Sequence, residues 1–155
     1  MAGYKAGEAR VLVLVQALTN FSADTATIGD WMVLKSGKST KGAYAVLKPG
    51  SFADEPMTMT TYRFDWETII EVWHQWYNQL SDAENLQALE DRVQEIIDGL
   101  QVYRKTGDTG GTVLHAQVSR GDLVNEKYNQ EGGLEWLMQE VTLEWSEEIA
   151  PAFAE

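Results

Sequence analysis

From Thr58 to Trp76 the chain places Thr58, Thr60, Tyr62, Phe64, Trp66, Thr68, Ile70, Val72 and Trp76 at every second position, with one break. Only an extended strand puts such a series on one face, so the pattern predicts a long strand that buries an aromatic wall. Its other face carries Arg63, Asp65, Glu67 and Glu71, with Ile69 and Trp73 among them. A strand of about 19 residues is some three times the usual length, which suggests a sheet reaching beyond its own core.

The remaining pattern alternates between helical and extended periods. Val11, Leu14, Val15 and Leu18 fall at helical spacing, predicting a helix over 8–20, although the branched run Val11 to Val15 also suits a buried strand. Trp31 to Leu34 and Ala43 to Lys48 read as short strands joined by a turn-forming stretch from Lys35 to Gly42, and Pro49 to Pro56 reads as a loop. Leu86, Leu89, Val93, Ile96, Leu100 and Tyr103 form the clearest helical stripe, over 82–105. Ser81 and Glu84 match a capping box, Asp82 suits the positive end, Arg104 and Lys105 suit the negative end, and Gly107 stops the helix. Strands follow within 112–146, with Leu114, Ala116 and Val118 on one face and Val113, His115 and Gln117 on the other. Leu134 to Trp145 fits either period at its start and a strand in its second half, leaving 147–155 as a tail. The order implies one α+β domain over 1–155, a largely antiparallel twisted sheet with two main helices packed on one face.

Composition narrows the functional classes. The chain has no cysteine, which removes disulfides, thiolate catalysis and cysteine metal sites. No apolar run reaches the roughly 20 residues of a spanning helix and no signal pattern opens the chain, so the expectation is a soluble cytoplasmic product without a membrane partner. A net charge of −12 opposes nonspecific nucleic-acid binding. From Asp122 onward nine carboxylates face one cation, Lys127. Such a run is either a solvated face or a wall that lets a polyanion slide past.

Candidate chemistry is sparse. Gly37, Lys38 and Ser39 resemble part of a phosphate-binding loop, but the glycine required five residues before Gly37 is Met32, and no helix is predicted to follow. Lys35, Lys38 and Lys41 instead form a basic loop suited to an acidic partner or DNA. His74 and His115 lack metal-motif spacing, so no metal or other cofactor is expected. Asp65, Glu67 and Glu71 share a strand face at a spacing that glycosidase carboxylates also show, the basis for a carboxylate hydrolase as the enzymatic alternative. The six tryptophans are scattered over both faces without the cationic groove that base stacking requires.

Taken in order, Ala43 to Gly50 (AYAVLKPG), Arg63 to Glu67 (RFDWE), Leu134 to Trp136 (LEW) and Val141 to Glu144 (VTLE) resemble the tail terminator, or tail completion, family of long-tailed bacteriophages. The likeness spans nearly the whole chain, and related neck and head-tail joining proteins look similar. The resemblance implies a non-enzymatic virion protein, assembled in the host cytoplasm. It would form a ring, usually a hexamer, that caps the tail tube and meets the head connector. On that footing Arg63, Glu67, Ile69, Glu71 and Trp73 are the expected subunit interface, with Trp73 at the centre of an apolar patch. Lys35, Lys38, Lys41, Phe52, Met57 and Met59 are the expected contacts to tube or connector. Glu126, Glu131, Glu135, Glu140 and Glu144 would line an acidic lumen through which DNA passes without specific binding.

Overall fold

In the computed structural model, residues 4–56, 62–77, 79–106, 113–127 and 135–149 are described. Helix α1 (Tyr4–Gln16) leads through the short strand β1 (Ala26–Ile28) and a 3-10 helix (Trp31–Lys35) to β2 (Ala43–Pro56). Strand β3 (Tyr62–Gln75), helix α2 (Asp82–Thr106) and strands β4 (Val113–Lys127) and β5 (Glu135–Ile149) follow. The five strands form one sheet in the order β1-β2-β3-β5-β4, antiparallel throughout except for the parallel β1–β2 pair. The α+β architecture predicted from the alternation of periods is the one observed, and no helix among the described residues is long and apolar enough to cross a membrane.

The even-numbered positions of β3 face the helices, as do the odd-numbered positions of β2 from Ala43 to Pro49; a bulge then shifts the parity so that Phe52 joins them. Val11 and Val15 of α1 and Leu89, Val93, Ile96 and Leu100 of α2 pack on Ala45, Leu47, Ile70, Val72, Leu143 and Trp145, all of them buried. Each such aliphatic side chain taken fully out of water stabilises the fold by about 1.5–3 kcal/mol. Gly7 lies where α1 crosses Trp145, and a methyl group there would overlap the indole. Helix α2 begins with the predicted capping box: the Ser81 hydroxyl accepts the Glu84 N–H at 3.2 Å and donates to the Glu84 carboxylate at 3.1 Å. One member of its predicted stripe, Leu86, stands 37% exposed.

Five elements differ from the sequence reading. Trp31 to Leu34 is a 3-10 helix, because Asp30 caps it by accepting the Met32 N–H and Gly29, at φ +65°, turns the chain into it. Pro49 to Pro56 is not a loop. Strand β2 passes through it with a bulge between Pro49 and Phe52. Proline is tolerated there because β1 covers only Ala45 to Leu47, and among the described residues no strand on the outer edge of β2 beyond them needs the missing N–H. Strand β4 runs on to Lys127, and β5 continues to Ile149, into the expected tail. Helix α1 starts at Tyr4 and ends at Gln16, four residues early at each end. Thr58, Thr60, Met57 and Met59 lie outside the described residues.

The sheet's other face carries a second, smaller apolar cluster. Val33 of the 3-10 helix packs against Tyr44, Val46, Trp73, Trp136 and Met138, with Leu34 beside them. Trp73 is only 3% exposed within its own chain and Glu71 only 6%. The expected patch at Trp73, awaiting a neighbouring subunit, is therefore not there: the chain folds its own 3-10 helix over it.

Candidate functional site

Among the described residues no helix covers this second face beyond the 3-10 helix, and it carries carboxylates in register. Glu71 of β3 stands directly opposite Glu140 of β5, and four residues earlier Glu67 stands opposite Glu144. Asp65 lies opposite Ser146 on the same face. Like charges paired across strands destabilise a sheet by roughly 0.2–1 kcal/mol per pair, so two such pairs in succession need an explanation.

The two pairs are handled differently. Lys48 projects from β2 between Glu71 and Glu140, with its Nζ 2.9 Å from one carboxylate and 3.3 Å from the other. Hydrogen bonding to Glu71 holds the Lys48 ammonium above its ordinary pKa in spite of partial burial. The indole N–H groups of Trp31 and Trp73 also donate to the Glu71 Oε1, so this buried carboxylate is fully partnered and ties the 3-10 helix to the sheet. Among the described residues the Glu67 and Glu144 pair has no such cation. The Ser51 hydroxyl donates to Glu67 at 3.1 Å, and Gly50 in the β2 bulge leaves room for that carboxylate, which a side chain would fill. Ser146 donates to Asp65 at 2.7 Å. A depression of about 580 Å³ runs between these groups, lined by Asp65, Glu67, Glu144 and Ser146 with Ser51 beside them.

The arrangement concentrates negative charge on one face of the sheet. Glu71 is committed to its lysine and indoles, so the predicted trio of Asp65, Glu67 and Glu71 is not a free set of carboxylates. No group of three or more His, Asp or Glu side chains among the described residues is placed to hold a metal ion. Gly37, at φ +66°, turns the chain between the 3-10 helix and β2, so no helix N-terminus follows Lys38 to receive a phosphate.

The sequence-predicted residues fall as follows. Glu67, Ile69, Glu140 and Glu144 share one face, so the expected interface and the expected lumen, read as separate surfaces, coincide there. Glu126 and Glu135 stand in β4 and β5 opposite Trp136 and Lys127, and Arg63 lies at the start of β3; the side chains of all three, and Glu131 altogether, lie outside what is described. Lys35, Lys38 and Lys41 are exposed at the opposite end of the sheet, Lys38 3.8 Å from Asp24 and Lys41 donating to the Thr19 carbonyl. Phe52 is 54% exposed and belongs to β2, where its ring stacks with Phe64 and Trp66 on the helix-bearing face. Sequence reasoning missed Lys48 and Ser51. Their signal was weak: one lysine and one serine flanking a Pro-Gly pair, informative only once the bulge sets their register.

His74 is structural. It is 1% exposed and its Nε2 meets the Asn85 Oδ1 at 3.0 Å, an oxygen that also accepts the Tyr77 N–H. His115 lies on β4 opposite Ser146, remote in register from His74, which pairs with Leu137. Burial pushes the His74 pKa below its ordinary value. The folded state therefore binds this proton less readily than the unfolded chain. Its contribution is complete above about pH 6.5, the ordinary histidine value, and declines as pH falls from there towards the lower folded-state pKa. Denaturant titrations at pH 7.5 and 5.5 are expected to show wild-type stability dropping by more than that of His74→Gln; equal drops would remove His74 as the cause.

Comparison of the sequence with models of known protein families and with curated proteins finds no match.

Proposed function

We propose that the chain is a structural ring subunit of a long-tailed phage particle, capping the tail tube and joining it to the head. The observation that carries the reading is the sheet face bearing Asp65, Glu67, Glu140 and Glu144, on which, among the described residues, no helix lies over the carboxylates and one carboxylate pair has no cation between its members. Turned inward in a ring, this face lines a bore with negative charge, and like charge keeps a passing DNA duplex from adhering to the wall. Both long helices pack on the other face and would form the outer layer. The resemblance of Ala43 to Gly50 and Arg63 to Glu67 to tail terminators supports the same assignment. In this reading the interface is not at Trp73 and Glu71, which the chain covers itself.

Deletion of the gene from the phage that carries it tests the role. Tails of irregular, excessive length are the expected result. Normal-length tails without heads would assign the protein to another neck position, and normal infectious particles would contradict a place in the tail.

A further inference from the structure

A ring whose sheet face lines the bore must be joined through the lateral margins of that sheet, and the two margins match each other in height. On one side β1 covers β2 only at Ala45 to Leu47, so among the described residues no strand lies on the outer edge of β2 from Lys48 to Pro56. On the other side β4 is the terminal strand along its whole length. Following the register across the sheet, Phe52 is level with Trp66, Trp145 and Ala116, and Pro49 is level with Thr68, Leu143 and Val118. The open part of β2 thus lies at the height of Val113 to Val118, where β4 is regular from His115 onward.

The closed parts match as well. Leu47 is level with Ile70, Val141 and Arg120, and Ala45 with Val72, Gln139 and Leu123. Between Arg120 and Leu123 β4 is bulged, and a bulge blunts an edge against pairing. One margin is interrupted at the height where the other is already occupied by β1. Direction agrees too. Strand β4 is antiparallel to β5, β5 to β3 and β3 to β2, so β4 runs antiparallel to β2. Rotation about an axis along the strands preserves direction, and β4 of one copy would meet β2 of the next as an antiparallel pair.

We propose that copies of this chain join head to tail by pairing the open edge of β4, around Val113 to Ser119, with the open edge of β2, around Gly50 to Glu55, in the next copy. Pro49 and Pro56, which lack an N–H, bound the β2 window at both ends. The contact is heterologous, so each copy uses both margins and the chain of copies can close. The inference rests on the ring reading above, since it takes the acidic face as the bore.

The absence of cysteine makes a covalent test clean. Ser51 and Gln117 are exposed, lie on the acidic face and are level with each other, because Ser51 reaches Glu67, which is opposite Glu144, itself opposite Gln117. Ser119, opposite Thr142, is the next residue of β4 on that face. Paired edges would bring such positions within the 4.4–6.8 Å that a disulfide spans between Cα atoms. The Ser51→Cys/Gln117→Cys and Ser51→Cys/Ser119→Cys variants, oxidised at high protein concentration, are expected to give in at least one register a reductant-sensitive ladder of multimers ending at one closed size. Each single variant should stop at dimers, formed far less efficiently. Rings in micrographs without ladders in either register would overturn the edge pairing and leave the ring reading standing. Efficient dimers from Gln117→Cys alone would replace it with a β4-to-β4 contact. Monomers throughout, with no rings, would overturn both.

Discussion

Replacing Trp73 by alanine is expected to destabilise the isolated subunit by about 3–5 kcal/mol, the range for removing a buried indole. For a chain of this size each kcal/mol corresponds to roughly 2–4 °C in melting temperature, so calorimetry should show a drop of about 6–20 °C. The indole is 3% exposed, meets Trp136 edge-on with ring centroids 6.4 Å apart, and donates to Glu71. Its removal opens a cavity beneath the 3-10 helix and strips one of the donors that partner a buried carboxylate. Had Trp73 been an interface residue, the same variant would melt like wild type and fail only to assemble. An unchanged melting temperature would restore that assignment.

Asn85→Ala is expected to have the next largest effect. Asn85 is fully buried in the first turn of α2, accepts from Tyr77 N–H and His74, and donates to the carbonyls of Tyr77 and Ser81. It fastens the end of β3 to the start of the helix that covers the core. Each buried polar group left without a partner costs about 1–3 kcal/mol, and at least two are orphaned here. Chemical denaturation should therefore show a loss of several kcal/mol, against about 1 kcal/mol for Ser81→Ala, which removes only the adjacent cap. Equal losses would mean that Asn85 acts as a capping residue and not as a latch.

Both variants act where local pattern is silent. Alternation along β3 correctly separated Ile70 and Val72 from Glu67 and Glu71, because parity follows from backbone geometry alone. Parity says which face a residue occupies and not what lies on that face. Trp73 is covered by a segment some forty positions earlier, whose apolar run, Trp31 to Leu34, suits a strand as well as a 3-10 helix. Only the Asp30 cap and the preceding Gly29 distinguish the two. The stripe from Leu89 to Leu100 was legible because a long helix repeats its signal over several turns.

The site was half legible for the same reason. Composition revealed an acidic second half and a charged strand face, but the meeting of Glu67 with Glu144 and of Glu71 with Glu140 depends on the register between β3 and β5. Register is a tertiary property, fixed by which faces are buried across the whole sheet. The same holds for Pro49 and Gly50, which read as a loop until the neighbouring edge is known to be open. Lys48, lying just before them, then becomes the single cation among the carboxylates of that face whose side chains are described.

The central claim is that this chain closes into a ring with its acidic sheet face inward. Electron microscopy of the purified protein over a range of concentrations tests it most directly. Closed rings of one subunit number, with a central opening wide enough for duplex DNA and the sheet on its inner wall, are the predicted result. Particles that remain monomeric at every concentration, or rings with α1 and α2 facing the opening, would contradict it.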